Sequence, residues 1–180
     1  MASGSVQRTL RRPAFLEMRV YIGIGSNIER DANVRAAVQA LRKKFGGVTL
    51  SAVYEGRPIG FEGENFYNLV AALDTDETPE ALVASLHDIE RRLGRQHGTS
   101  RFASRTIDLD LLLYGGLVRD DATLSVPRPE VIEYACVLRP LAELAPEARH
   151  PRSGETFATL WARFNKTVQP LSPVTMEFAD

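Results

Sequence analysis

The apolar positions of this chain form short continuous runs and stripes with helical spacing. Apolar runs bounded by Gly, Pro or polar residues favour strands, whereas apolar residues three and four positions apart favour helices. We therefore expect main strands at 20–24, 48–54, 66–73 and 106–114, with a short strand near 117–118, and helices at 33–45, 79–93, 137–144 and 157–164. Residues 55–64 contain three glycines and a proline and predict a loop.

The clearest helix signal lies in the middle of the chain. Thr78 can cap free amide groups, and Pro79 suits the first helical position because its missing N–H costs nothing there. Gly94 then ends the helix. The order of the first six elements, β-α-β-β-α-β, is typical of the ferredoxin-like split fold. We expect one α+β domain over residues 18–180, with helices packed on an antiparallel sheet.

The first seventeen residues lack this patterning. They are polar and basic, and they contain no apolar stretch of the ~7–15 residues that a secretory signal requires. We expect residues 1–17 to be a disordered extension, and Met18 is an alternative start of the protein. No apolar run approaches the ~18 residues of a membrane span, so we expect no membrane partner.

Composition narrows the functional classes. The chain has 180 residues, with 22 Lys and Arg against 23 Asp and Glu, for a net charge of −1. This balance gives no support for a nucleic-acid partner, since a basic domain would be expected. The single cysteine, Cys136, excludes an internal disulfide and fits a reducing compartment, so we expect a cytoplasmic protein.

Two carboxylates on the fourth strand carry the strongest chemical signal. Asp108 and Asp110 share one face of the strand, about 7 Å apart at ~3.3 Å per residue, and two such carboxylates repel each other unless a cation lies between them. Mg²⁺ binds carboxylates together with substrate phosphates, and two ions could be bridged by such a pair. The alternative is a sheet whose second face is solvated. The opposite face, which we expect to meet the helices, carries Ile107, Leu109, Leu111 and Leu113.

Arginines gather just before this pair. Arg91 and Arg92 end a helix, where the helix dipole favours positive charge, and we interpret them as structural. Arg95, Arg101 and Arg105 lie in a polar segment that leads to the carboxylates. Guanidinium groups beside a metal-binding pair are suited to a polyphosphate, because arginine and metal neutralise different oxygens.

Other motifs are weaker. Gly23 and Gly25 follow a strand, but the dinucleotide fingerprint needs a third glycine where Ile28 stands, so a tight turn is the preferred interpretation. The three histidines have no metal-ligand spacing, and Cys136 lies in an apolar stretch that favours a buried filler over a nucleophile. Phe66 and Asn68 offer an aromatic face and an amide that could hold a flat heterocycle.

These motifs stand in an order that resembles a known family, the 6-hydroxymethyl-7,8-dihydropterin pyrophosphokinases of folate biosynthesis. The resemblance covers about residues 19–165. It rests on Tyr21-Ile22-Gly23-Ile24-Gly25-Ser26-Asn27, Tyr54 with Pro58-Ile59-Gly60, Phe66-Tyr67-Asn68, Ile89-Glu90 through Gly94-Arg95, Arg105-Thr106-Ile107-Asp108-Leu109-Asp110-Leu111, Leu138 with Pro140-Leu141, and Glu143-Leu144-Ala145-Pro146.

The resemblance implies a ferredoxin-like enzyme, expected to be monomeric, that transfers the diphosphate of ATP to a pterin alcohol and releases AMP. It implies that Asp108 and Asp110 hold two Mg²⁺ ions and act in catalysis with Arg95 and Arg105. For the nucleotide it implies Glu90, Arg95 and Arg105, and we expect Arg101 and Arg128 to contact the nucleotide as well. For the pterin it implies Ile59, Phe66, Asn68 and Cys136.

The chain departs from the family pattern in both binding regions. Cys136 replaces the second stacking aromatic, so we expect a weaker or different pterin pocket. Two alternatives stay open: a paralogue that binds Mg-ATP but acts poorly or on another pterin-like alcohol, and a ferredoxin-like binding module without catalysis. The other departures are His97 and Tyr134 for arginines, Phe102 for tryptophan, Arg128 for histidine, and Gly56-Arg57 for Thr/Ser-Pro.

Overall fold

A computed structural model describes residues 17–95 and 104–179 of the chain. Within these ranges it contains five helices and eight strands. In chain order they are β1 Met18–Ser26, α1 Arg30–Phe45, β2 Val48–Leu50, β3 Val53–Gly56, β4 Phe66–Thr75, α2 Pro79–Arg92, β5 Asp108–Tyr114, β6 Arg119–Asp120, β7 Ser125–Val126, α3 Glu130–Glu133, α4 Ala135–Leu144, α5 Phe157–Arg163 and β8 Leu171–Val174.

The main sheet is antiparallel, with strands in the order β5-β1-β4-β3-β8, and β2 pairs with β4 beside β3. With β2 and β3 taken as one interrupted strand, the first four positions of the sheet, from β5 to β3, follow the split β-α-β arrangement, so the predicted ferredoxin-like α+β fold is confirmed. The strands β4 and β5 flank β1 on either side. Residues that alternate along these three strands therefore converge on a common face.

The predicted start of α2 is also confirmed. Thr78 Oγ1 accepts a hydrogen bond from Ala81 N at 3.3 Å, and Pro79 occupies the first helical turn. Arg91 and Arg92 lie in the last turn, as their interpretation as helix-end residues requires. The helix therefore ends just before Arg95, which lies at the edge of β5.

Both faces of the sheet are covered by apolar side chains. On one face, Val34, Leu41 and Leu86 of the first two helices pack against strand residues such as Ile22. On the other face, a second core contains Val70 and Leu112 of the sheet. It is completed by α4 and α5, through Leu138, Leu141, Phe157 and Leu160. The alternative of a solvated second face is therefore wrong, and the cleft described below lies beside this second core.

Leu113 does not lie where the strict alternation predicts. The register of β5 against β1 shifts between Tyr21 and Ile22, which pair with Leu113 and Leu111. The extra residue, Leu112, forms a bulge that reverses the facing of the residues after it. Leu113 therefore joins the second core, whereas Ile107, Leu109 and Leu111 join the first, as predicted.

The predicted strand at 48–54 is interrupted. Ser51 N donates to Val70 O at 3.0 Å, and Ser51 Oγ accepts from Val70 N at 2.9 Å. The serine side chain thus replaces a backbone acceptor, and the ladder divides into β2 and β3.

Elements near the end of the chain also differ from the prediction. The short strand expected near 117–118 lies at Arg119–Asp120 and pairs with Ser125–Val126. The strand β8, which was not predicted, pairs with β3 at the edge of the sheet and contains Pro173. Proline is tolerated on an edge strand because one side of the strand needs no partner.

The disordered N-terminal extension stays a prediction, because residues 1–16 lie outside the described residues. No helix within residues 17–95 and 104–179 is long and apolar enough to cross a bilayer.

Candidate active site

A cleft of about 750 Å³ opens on the second face of the sheet, next to α3 and the start of α4. One end is polar and charged, and the other is largely aromatic and apolar. The charged residues that line it are Arg57, Arg95, Arg105, Asp108, Asp110, Arg128 and Glu130, and His87 lies among them; the ring-binding candidates are Ile59, Phe61, Phe66, Asn68, Tyr134 and Cys136. The cleft therefore brings together predicted nucleotide and pterin residues that are far apart in sequence.

Gly23 and Gly25 form part of the floor of this cleft. The strand β1 continues to Ser26, so the prediction of a tight turn at these glycines is wrong. A Cβ added at Gly23 would lie 3.3 Å from Leu112 Cδ2, and one at Gly25 would lie 3.2 Å from Asn68 Oδ1. Because the two glycines have no side chains, they leave space in the cleft floor between β5, which carries the carboxylates, and β4, which carries Phe66.

The two carboxylates of β5 line the charged end, and each is paired with arginine. Asp108 accepts hydrogen bonds from Arg105 and from Arg95 Nη1, the latter at 2.6 Å. Asp110 Oδ1 lies 2.9 Å from Arg128 Nη1, and Arg128 also contacts Glu130 at 3.2 Å. Three guanidinium groups therefore surround the pair, which matches the charge arrangement expected for a polyphosphate site.

The environment of Asp110 disfavours its negative charge. Desolvation in the cleft raises the pKa of this carboxyl, and the neighbouring Asp108 raises it further, while Arg128 opposes the change. A bound cation would relieve both the desolvation and the repulsion. This unfavourable charge is the physical reason to regard the pair as a cation site.

The described residues contain no group of three or more His, Cys, Asp or Glu side chains suited to hold a metal by themselves. A pair of carboxylates nevertheless fits Mg²⁺, which commonly takes one or two protein carboxylates and completes its shell with substrate phosphates and water. The donor set therefore fits a metal that enters together with a phosphate ligand.

Glu90 is completely buried behind the charged end. Its Oε1 accepts a hydrogen bond from Leu109 N at 2.7 Å and another from Arg95 Nη1. Its Oε2 has no hydrogen-bond partner in the described ranges. Burial raises the pKa of Glu90 to about 7, although the Leu109 N–H and Arg95 act in the opposite direction. Glu90 is 0% exposed, so it does not face the cleft itself. It acts on the cleft through its ion pair with Arg95.

The other end of the cleft is suited to a flat ring. Phe66 and Asn68 lie on the same face of β4, and Ile59 and Cys136 line the cleft with them. The sequence analysis missed Phe61, whose ring lies edge-on to Phe66 at 6.2 Å between centroids. Its position in a loop rich in glycine was the available signal.

Cys136 also lines this end of the cleft, at the start of α4. Burial raises the pKa of its thiol to about 12, so the group stays protonated at neutral pH. A protonated thiol gives no support for a nucleophile. The side chain is half-buried at the cleft wall, whereas a buried filler was predicted. Arg101, His97 and Phe102 lie outside the described residues, so Arg101 stays a sequence prediction.

Comparisons with known proteins identify the family of this chain. Residues 21–146 match the model of the family described as 7,8-dihydro-6-hydroxymethylpterin-pyrophosphokinase. The chain is 39% identical over 137 residues to the 2-amino-4-hydroxy-6-hydroxymethyldihydropteridine pyrophosphokinase of Pseudomonas aeruginosa, covering 74% of this chain and 84% of the relative. It is 40% identical over 133 residues to the enzyme of the same name from Methylorubrum extorquens, covering 72% and 84%.

Longer proteins match over a smaller share of their length. The chain is 31% identical over 160 residues to the folic acid synthesis protein fol1 of Pneumocystis carinii, covering 86% of this chain but only 21% of that protein. Its fold is similar to Plasmodium falciparum HPPK-DHPS A437G with pteroate, at a TM-score of 0.67 and 14% identity, covering 87% of this chain and 45% of that one. This chain therefore corresponds to one part of such longer proteins.

Proposed function

This chain belongs to the 7,8-dihydro-6-hydroxymethylpterin-pyrophosphokinase family, and we propose that it transfers the β,γ-diphosphate of ATP to the hydroxymethyl group of 6-hydroxymethyl-7,8-dihydropterin. The products are AMP and the pterin diphosphate, a step of folate biosynthesis. One observation carries the proposal. A single cleft joins an arginine-surrounded carboxylate pair to an aromatic and amide surface, so two ligands of different chemistry can meet there.

Asp108 and Asp110 would hold Mg²⁺, and we propose two ions, in keeping with two carboxylates that share one face of β5. The ions would supply positive charge beside the phosphate oxygens, where negative charge develops during transfer. The carboxylates themselves contribute fixed positions, because each is held by arginine and by its place in the strand.

The arginines are proposed to bind the phosphates directly. Arg95, Arg105 and Arg128 already lie at the carboxylate pair, each within ion-pair distance of an aspartate. When a cation takes over the charge of the aspartates, these guanidinium groups can donate hydrogen bonds to phosphate oxygens instead. Diphosphoryl transfer requires mainly orientation and charge neutralisation, and this arrangement supplies both.

The ring of the pterin is proposed to lie against Phe66, with Asn68 in reach of its hydrogen-bonding edge. Gly25 leaves space there, since a Cβ at that position would contact the Asn68 amide at 3.2 Å. Ile59, Phe61 and Cys136 complete the walls. In this proposal the alcohol of the pterin lies toward the charged end, where the phosphates would be.

A direct assay tests the function. The protein is incubated with Mg²⁺, ATP and 6-hydroxymethyl-7,8-dihydropterin, and AMP and the pterin diphosphate are separated and quantified. Equal amounts of both products are expected, and none should form when the pterin is omitted or the metal is chelated. Absence of turnover with intact Mg-ATP binding would instead indicate a different alcohol, and absence of both would contradict the enzyme assignment.

Replacing Phe66 with alanine should weaken pterin binding about tenfold. The pterin ring is expected to lose its stacking contact with Phe66. That contact is worth ~1 kcal/mol in addition to the free energy of burying the ring surface. The affinity is measured by isothermal titration with the pterin and a non-hydrolysable Mg-ATP analogue. Phe164→Ala is the matched control, because that ring stacks on Trp161 away from the cleft. Unchanged pterin affinity in Phe66→Ala would contradict the proposed ring position.

A further inference from the structure

Asn27 lies at the end of β1 and connects two segments that border the cleft. Its side chain is 5% exposed, and it is absent from the cleft lining. Its Nδ2 donates to Glu64 O at 3.1 Å and to Ser104 Oγ at 3.2 Å, while its Oδ1 accepts from Arg105 N at 2.7 Å. The backbone N–H of Asn27 also donates to Arg105 O at 3.1 Å. One buried amide thus joins the loop before β4 to the segment before β5.

The partners determine the orientation of this amide. Glu64 offers a carbonyl oxygen, which can only accept, and Arg105 offers a backbone N–H, which can only donate. If the amide were flipped, its oxygen would face the Glu64 carbonyl oxygen and its NH₂ group would face the Arg105 N–H, so neither hydrogen bond could form. The oxygen therefore holds the arginine segment, whereas the nitrogen holds the loop through Glu64 O and also contacts Ser104 of the arginine segment.

Each of the two segments presents a side chain that lines the cleft. The loop that ends at Glu64 presents Phe61, and a Cβ added at Gly63 would lie 3.1 Å from the Phe61 ring and 3.5 Å from Ser104 Oγ. The loop therefore packs tightly against both the aromatic wall and the segment at Ser104. The other segment presents Arg105, whose guanidinium pairs with Asp108. Ser26 reinforces the second connection, since its Oγ donates to Thr106 O at 2.6 Å.

We propose that Asn27 is a positioning residue that fixes the ring-binding wall relative to the phosphate-binding arginine. It contacts neither ligand and acts through the Glu64 carbonyl and the Arg105 backbone. This inference rests on the proposed function, because it assigns the two segments to the pterin and to the phosphates. A buried side-chain amide with three partners is expensive to disturb, so its loss should change the geometry of both halves.

The variant Asn27→Asp separates the two connections. Aspartate keeps an acceptor for Arg105 N, and its second oxygen can still accept from the Ser104 hydroxyl, but that oxygen repels Glu64 O and so breaks the connection to the loop. The dissociation constant of the pterin, measured with a saturating non-hydrolysable Mg-ATP analogue, should rise about tenfold or more. The dissociation constant of the analogue alone should stay within twofold. In turnover, the KM for the pterin should rise, while the KM for ATP should not.

Two further variants complete the test. Asn33→Asp is the matched control, since Asn33 is half-buried at the start of α1 and its Nδ2 donates to Ile28 O at 2.6 Å, away from the cleft; it should change neither constant. Asn27→Ala removes both connections and should weaken both ligands, which also decides the matter if Asn27→Asp does not fold. Pterin affinity within twofold of wild type in either folded Asn27 variant, or equal weakening of both ligands in Asn27→Asp, would overturn the proposal. A wild-type chain that binds neither ligand would instead contradict the proposed function.

Discussion

Replacing Asp110 with alanine should lower the rate of AMP formation by at least about a hundredfold, the loss typical of removing one preorganised charge-stabilising group. The variant loses one of the two carboxylates proposed to hold Mg²⁺. It also removes the Asp110 partner that holds Arg128, at 2.9 Å. The loss of the cation removes positive charge from the place where the phosphates are expected, and the loss of the ion pair removes a contact that positions Arg128. Asp108→Ala should give a loss of similar size.

The rate is measured under saturating ATP and pterin over a range of Mg²⁺ concentrations. The apparent Mg²⁺ requirement should increase in both variants, which separates a metal ligand from a residue that only supports the fold. Asp120→Ala is the control, because the Asp120 side chain is 70% exposed on the β6–β7 hairpin and lies 3.9 Å from Arg152, a long ion pair. Retention of more than a tenth of the wild-type rate in Asp110→Ala would contradict its proposed role.

The sequence predicts the fold well where pattern and capping agree. The start of α2 at Pro79 follows from a capping threonine and a proline, both local features. Leu113 and the strand at 48–54 could not be predicted, because a bulge at Leu112 and a hydroxyl–backbone exchange at Ser51 depend on a partner strand. Such interruptions follow from pairing and not from the local residue pattern.

The candidate site shows the same division. Asp108 and Asp110 stand out from the sequence because two aspartates on one strand face are unusual and need a counter-charge. Phe61 and Asn27 do not, since an aromatic in a glycine-rich loop and an asparagine after a strand fit ordinary loop chemistry. Their importance arises from segments that meet only after folding: Phe61 meets Phe66, and Asn27 meets Arg105.

Glu90 connects the core to the charged end of the cleft. Its protonation should make the free energy of unfolding depend on pH. Burial raises its pKa from 4.5 to about 7, so the folded chain holds a proton there at pH values where the unfolded chain has released it. The fold is therefore favoured at low pH, and this contribution is lost as the pH rises from about 4.5 through about 7. The difference corresponds to about 3 kcal/mol in the free energy of unfolding.

The variant Glu90→Gln should abolish this dependence. Glutamine has nearly the same shape, keeps an oxygen that can accept from Leu109 N, and does not titrate. The free energy of unfolding of Glu90→Gln minus that of wild type should therefore become about 3 kcal/mol more positive between about pH 4 and pH 8. Urea denaturation with a metal chelator measures it at each pH.

Glu147→Gln provides the baseline, because Glu147 is exposed and has no ion pair among the described contacts. Its difference from wild type should be flat over the same pH range. A flat difference for Glu90→Gln as well would contradict a raised pKa for Glu90 in the folded chain. A difference that rises with pH, together with a lower affinity for Mg-ATP, would show that the carboxylate acts on the cleft by holding Arg95 at Asp108, at the expense of stability near neutral pH.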